Sequence, residues 1–223
     1  MTVTAKLISK CYKPRKGGRE INVIKESGIT VKGGELAVIS GRSGSGKTTL
    51  LSVLAGLVRP ESGSVHYDND DIFSMNDAKL SRYRNKSIGY IPQGHGALSA
   101  LTVLENLILP AALGGRNEQQ KAEQLLERLG LSDLKNQYPR ELSGGELRRL
   151  AIARALINSP AVILADEPTN DLDDENTGVV LQLLKEQAQQ GAAVVIVSHE
   201  QAAASYADTT YKMESGRLYR EDI

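Results

Sequence analysis

Cysteine is almost missing from this chain. Cys11 is the only one in 223 residues, which excludes an intramolecular disulfide and a cysteine-based metal cage and fits a reducing compartment. A charge excess is missing too, since 27 Lys and Arg face 27 Asp and Glu. A general nucleic-acid binder carries a basic surplus, so no nucleic-acid partner is expected, although a local basic face stays open. Long apolar runs are absent. The longest unbroken ones, Ala161–Ala165 and Ala192–Val197, fall far short of the about 20 residues of a spanning helix. The stretch from Leu101 to Leu113 is apolar on average but is broken by Glu105, Asn106 and Pro110. The N-terminal MTVTAKLISKCYK lacks the apolar centre of a signal peptide. Together these gaps predict a soluble cytoplasmic protein with no membrane span of its own, so that any membrane role must come through a partner. Internal repeats and low-complexity tracts are also absent.

What is present is an ordinary globular balance, 40% hydrophobic and 24% charged, which excludes disorder throughout and allows a real core in one or two domains. Short apolar runs alternate with helical periodicity, predicting an α/β domain with a mostly parallel sheet. Before that core, Leu7–Tyr12 and Ile21–Val31 read as strands around the turn KPRKGGRE, an N-terminal antiparallel β flap. Its basic residues Lys13, Arg15, Lys16 and Arg19 read as a solvated turn. Strands are predicted at Glu35–Ser40, Gly63–Tyr67, Ser87–Ile91, Ala161–Ala165 and Ala192–Val197. Helices are predicted at Lys47–Leu57, Thr102–Leu113, Glu118–Leu129, from Ser143 to about Asn158, and at Glu175–Gln190. Two of these open on capping boxes, Thr102-x-x-Glu105 and Ser143-x-x-Glu146. The chain thus reads as one domain over 1–223. Residues 1–92 and 159–223 form the core with its flap, and 93–158 form an inserted α-helical subdomain.

Gly41-Arg42-Ser43-Gly44-Ser45-Gly46-Lys47-Thr48, followed by Thr49, matches a phosphate-binding loop at every defined position. Glycines let successive N–H groups converge on an anion, and the following helix presents its positive end to the same point. Lys47 reaches the β- and γ-phosphates in such a loop and the Thr48 hydroxyl binds Mg²⁺. The run Val162–Ala165 ends in Asp166-Glu167, carboxylates at a strand end where α/β folds bind ligands. With the loop upstream, Asp166 fits the Mg²⁺-organising acid and Glu167 the group that polarises water. Leu142-Ser143-Gly144-Gly145-Glu146 supports two readings. Ser143 caps its own helix, or the bare glycine amides form a second anion site, which a two-fold dimer places over the phosphate loop of another copy.

The phosphate loop, LSGGE and VILADEPT, in that order, resemble the ATP-binding cassette proteins over essentially the whole chain. The resemblance implies a P-loop NTPase core and an ATPase that dimerises around two ATP with Mg²⁺ and drives separate transmembrane permease subunits from the inner face of the membrane. It implies that Tyr12 stacks on adenine. It implies that Gln93 touches Mg²⁺ and the attacking water, and that Ser143, Gly144 and Gly145 cap ATP across the dimer. Asp166 and Glu167 match the metal-organising and catalytic acids, Asn170–Asp173 the segment communicating between sites, and His199 the residue holding γ-phosphate. Departures are Asp171 in place of a small or amide residue, Glu146, Leu147 and Arg148 in place of glutamines, and Ser198 and Glu200 around His199. The basic hairpin insert, with SRYRNKSIGYIPQ and LSALTVLENLILPAAL, is similar to ATPases of lipoprotein-releasing and macrolide-exporter systems. Closure is expected to act on the permease through a groove near Gln93 and Leu98–Leu109. The alternative within the family is a mechanotransmitting ATPase that regulates an extracytoplasmic enzyme without transport. A GTPase would need Asn-Lys-x-Asp, and Asn85-Lys86-Ser87-Ile88 lacks the aspartate.

Overall fold

The computed structural model describes residues 1–13 and 20–221. Arg15, Lys16 and Arg19 of the basic turn lie outside them, while Lys13 Nζ pairs with Glu20 Oε1 at 3.6 Å. The chain begins with β1 (Val3–Tyr12), β2 (Ile21–Val31) and β3 (Leu36–Ser40), then α1 (Lys47–Leu54), β4 (Ser62–Tyr67), β5 (Asp70–Asp71) and α2 (Asp77–Ser87). Its middle holds β6 (Ile88–Ile91), α3 (Val103–Leu113), α4 (Gln119–Arg128) and α5 (Gly144–Leu156). It closes with β7 (Val162–Asp166), α6 (Asp174–Gln189), β8 (Ala193–Val197), α7 (Gln201–Ala204), β9 (Thr209–Glu214) and β10 (Arg217–Glu221).

Two sheets result. One has four antiparallel strands in the order β2-β1-β4-β5, and the other has six in the order β10-β9-β3-β8-β7-β6. Strands β9, β3, β8, β7 and β6 run parallel, and only β10 is antiparallel. The expected flap and mostly parallel sheet are therefore present, and β4 and β5 join the flap's sheet.

The alternation of side chains along a strand assigns the two faces of the large sheet. Leu36, Val38, Ile163, Ala165, Val194 and Ile196 pack into one core with the apolar stripes of α3 to α6. Ala37, Ile39, Val162, Leu164, Val195 and Val197 pack into a second core with α1 and the antiparallel sheet. Both faces are covered, so β7 and β8 read as unbroken apolar runs.

Local signals place most helix ends. Thr102 and Glu105 form the predicted capping box at α3, and Ser143 and Glu146 do so at α5. Helix α1 stops at Leu54, short of the predicted Leu57, because Gly56 takes a left-handed φ of 66°. Helix α2 escaped the periodicity reading because it buries only Leu80 and Ser87. Strand β9 carries a period-two pattern, with Thr209, Tyr211 and Met213 inward.

Candidate functional site

Four parallel strands of the large sheet end on one edge, and each delivers part of the site. The loop after β3 is the glycine-rich 41–46 segment, which runs directly into α1. Past β6 come Pro92 and Gln93, past β7 Asp166-Glu167, and past β8 Ser198-His199. A cavity of about 660 Å³ opens there, lined by Gly41, Arg42, Ser43, Gly44, Gly46, Lys47, Thr48, Thr49, Gln93, Asp166, Glu167 and His199, with Val23 and Asn170. Residues far apart in the chain converge because the strands that carry them, β3, β8, β7 and β6, are consecutive neighbours in the sheet.

The loop has the geometry of an anion cradle. Gly46 sits at φ 109°, and a Cβ there would lie 2.6 Å from the Val23 carbonyl oxygen, so only glycine fits. Gly44, at φ 77°, has open space where a side chain would be. Lys47 is buried and its Nζ donates to the carbonyls of Gly41 (2.7 Å) and Arg42 (3.1 Å).

Asp166 is 1% exposed, and neither carboxylate oxygen has a hydrogen-bond partner. Burial, and then the neighbouring Glu167 charge, push its carboxyl above the ordinary range, opposed by the cations of Arg148 and Lys47. A buried carboxylate with two free oxygens, beside a hydroxyl and an amide on the same cavity wall, suits a hard divalent cation such as Mg²⁺. Next to it, Glu167 holds a left-handed φ of 48°, uncommon for a residue with a side chain. Its Oε2 lies 2.9 Å from Nδ1 of His199. That contact raises the imidazole pKa above its ordinary value.

The Ser143 region lies elsewhere. Ser143 Oγ accepts from the Glu146 N–H (3.3 Å), while Glu146 Oε2 accepts from the Ser143 N–H (2.7 Å) and hydroxyl (2.8 Å). The cap reading therefore holds, and it leaves the glycines facing a second cavity. This cavity, about 710 Å³, is lined by Ser143, Gly144, Gly145, Arg149, Asp171, Leu172, Asp173 and Asn176. It shares no residue with the first. Arg149 Nε is buried there without a partner.

Two expected residues stand apart from the first cavity's lining. Ser45 is buried, with an unpartnered hydroxyl. Tyr12, at the end of β1, is half exposed with Lys10 Nζ 5.4 Å from its ring centre. Sequence reasoning missed Val23, which reaches the site from the antiparallel sheet, and the full burial of Arg148. Arg148 lies one helical turn before buried Ala151 and Ile152, and a cation on an apolar stripe was the available signal.

Comparison with known proteins comes to the same place. Residues 24–170 match the ABC transporter family. The chain is 38% identical over 220 residues to the lipoprotein-releasing system ATP-binding protein LolD of Idiomarina loihiensis, covering 97% of this chain and 96% of that one. It is 37% identical to the macrolide export ATP-binding/permease protein MacB of a Shewanella species, over 96% of this chain and 34% of MacB. Its fold superposes with a TM-score of 0.92, at 34% identity, on the dimeric post-hydrolysis structure of the ATP-binding cassette MJ0796 bound to ADP and Pi, covering 99% and 97% of the two chains.

Proposed function

The chain belongs to the ABC transporter family, and on that premise we propose how its residues divide the work of an ATP-hydrolysing transporter subunit. The observation that carries the reading is that the phosphate loop and the glycine-led start of α5 line two separate cavities on one chain. One is a cradle for the triphosphate and the other is a helix start with bare glycine amides. Two copies related by a two-fold axis complete each other, with Ser143, Gly144 and Gly145 of one closing over residues 41–49 of its partner.

In each completed site the 41–46 amides and Lys47 hold the phosphates. Thr48, Asp166 and Gln93 would hold Mg²⁺, which would supply charge neutralisation at the β- and γ-phosphates. Among the described residues no group of three or more His, Cys, Asp or Glu could hold a metal. Nucleotide oxygens and water would supply the remaining ligands of such a cation. Glu167 accepts the proton of the attacking water. His199, poised on Glu167 Oε2, steadies that carboxylate and faces the γ-phosphate. Tyr12, on the rim, stacks on the adenine. Residues 93–158 act as the lever between the two half-sites.

Among the described residues no helix is long and apolar enough to cross a membrane, so the work is delivered to separate permease subunits from the cytoplasmic face. LolD and MacB are named for lipoprotein release and macrolide export, and extrusion of a lipoprotein or another amphipathic cargo is the reading carried over. The test is Glu167→Gln, which keeps the shape and removes the base. It is expected to cut turnover about 10²–10⁴-fold and to accumulate an ATP-bound dimer in size-exclusion chromatography with light scattering. Full turnover, or a monomer at saturating ATP, would refute the assignment.

A further inference from the structure

The side chain of Arg148 is entirely buried, yet its guanidinium meets no carboxylate within ion-pair distance among the described residues. It is surrounded by backbone. Nη1 donates to the carbonyls of Pro92 (2.5 Å) and Gln93 (3.1 Å), Nε to Pro168 (3.2 Å), and Nη2 to Asp166 (2.7 Å) and Glu167. A buried cation costs several kcal/mol unless fully hydrogen-bonded, and here five carbonyl dipoles do that work. Those carbonyls belong to two segments just past the last mutually paired residues of β6 and β7, Ile91 and Ala165. One is the loop carrying Gln93, and the other is the end of β7 carrying Asp166 and Glu167. The arginine itself rides on α5, whose first residues are Gly144 and Gly145.

We propose that Arg148 is a positioning residue for hydrolysis, locking Gln93, the Asp166–Glu167 strand end and the glycine-led start of α5 into one unit. The reason lies in the backbone of Glu167. Its left-handed φ is unfavourable for a side-chain-bearing residue and persists only where neighbours over-determine it. Its N–H donates to the Val197 carbonyl at 2.8 Å, and its carbonyl accepts from Arg148. Those two bonds fix the peptide units on either side of the strained residue and so aim its carboxylate. A planar fork with five N–H donors suits this task, whereas a lysine ammonium is a point charge with three. When a second copy presses on Gly144 and Gly145, the displacement of α5 reaches Gln93 and Glu167 together through the same group.

This inference rests on the roles given above to Glu167 and Gln93. Steady-state ATPase kinetics of Arg148→Met and Arg148→Lys test it, with rates normalised to the protein that binds a fluorescent ATP analogue. Arg148 does not line the phosphate cavity. KM is therefore expected to stay within about 3-fold while kcat falls about 10–100-fold, the scale of a 1 Å misplacement of a reacting group. Lysine is expected not to restore it. Unchanged kcat in either folded variant, or a KM that rises in step, overturns the proposal. Glu167→Gln measured alongside separates the two failures. If it is inactive while the Arg148 variants are normal, only this proposal falls. If it is active, the site assignment falls first. Should neither Arg148 variant fold, hydrogen exchange of the wild-type protein with a non-hydrolysable ATP analogue decides. Amides at 93–95, 166–170 and 144–147 are expected to slow together, and independent responses overturn the coupling.

Discussion

Gly144→Ala separates stability from function most sharply. In the isolated chain a Cβ at Gly144 would meet only Asp171 Cβ, at 3.9 Å, an ordinary van der Waals contact. The backbone there is helical, so alanine imposes no strain, and the fold gains at most about 1 kcal/mol from lower chain entropy. The methyl nevertheless projects into the second cavity, where a partner's triphosphate would approach the amide. Displacing one charged hydrogen bond costs about 1.5–3 kcal/mol, which is roughly a 10–150-fold loss in the closed dimer. Monomer affinity for ATP is expected to be unchanged, because the phosphate cradle shares no residue with that cavity. Thermal melting, equilibrium nucleotide binding and steady-state hydrolysis across protein concentration measure the three quantities. Full turnover with intact stability would refute the placement of nucleotide at Gly144. A parallel loss of monomer affinity would refute the independence of the half-sites.

Gly46→Ala should act in the opposite way. Its methyl meets the Val23 carbonyl and its φ is 109°, so melting temperature and ATP binding fall together, the backbone strain alone amounting to about 1–2 kcal/mol. Asp166→Asn should abolish Mg²⁺-dependent turnover while raising the melting temperature in EDTA at neutral pH. Burial raises the folded-state pKa of Asp166, so the charged form destabilises the fold above that pKa. The advantage of asparagine should therefore shrink as pH falls through the raised value toward the ordinary carboxyl range. The His199 imidazole should titrate, by NMR, at higher pH in the wild type than in Glu167→Gln, because its raised pKa comes first from Glu167. The small stabilisation from that pair is complete below the ordinary histidine pKa and disappears as pH rises through the raised one.

The elements legible beforehand were those built from adjacent residues. The β3–loop–α1 unit, the capping boxes of α3 and α5, and the apolar strands β7 and β8 carry their signals within a few positions. Helix α2 was not legible, since a surface helix that buries only Leu80 and Ser87 presents almost no stripe. The placement of Tyr12 was not legible either, because a strand's face can be read from alternation but its distance from a loop of another sheet cannot.

By itself the amino-acid order determined the chemistry: a phosphate loop, a pair of acids after an apolar strand, a glycine-led helix and a histidine past the next strand. These are local because backbone curl, caps and strand ends are set by neighbouring residues. Tertiary structure alone decided that the glycine-led helix and the phosphate loop line separate cavities, that His199 meets Glu167, and that Arg148 is sealed among five carbonyls. Each depends on which strands become neighbours and which helix covers them, a result of burying two faces of one sheet at once, and no short stretch of sequence contains it.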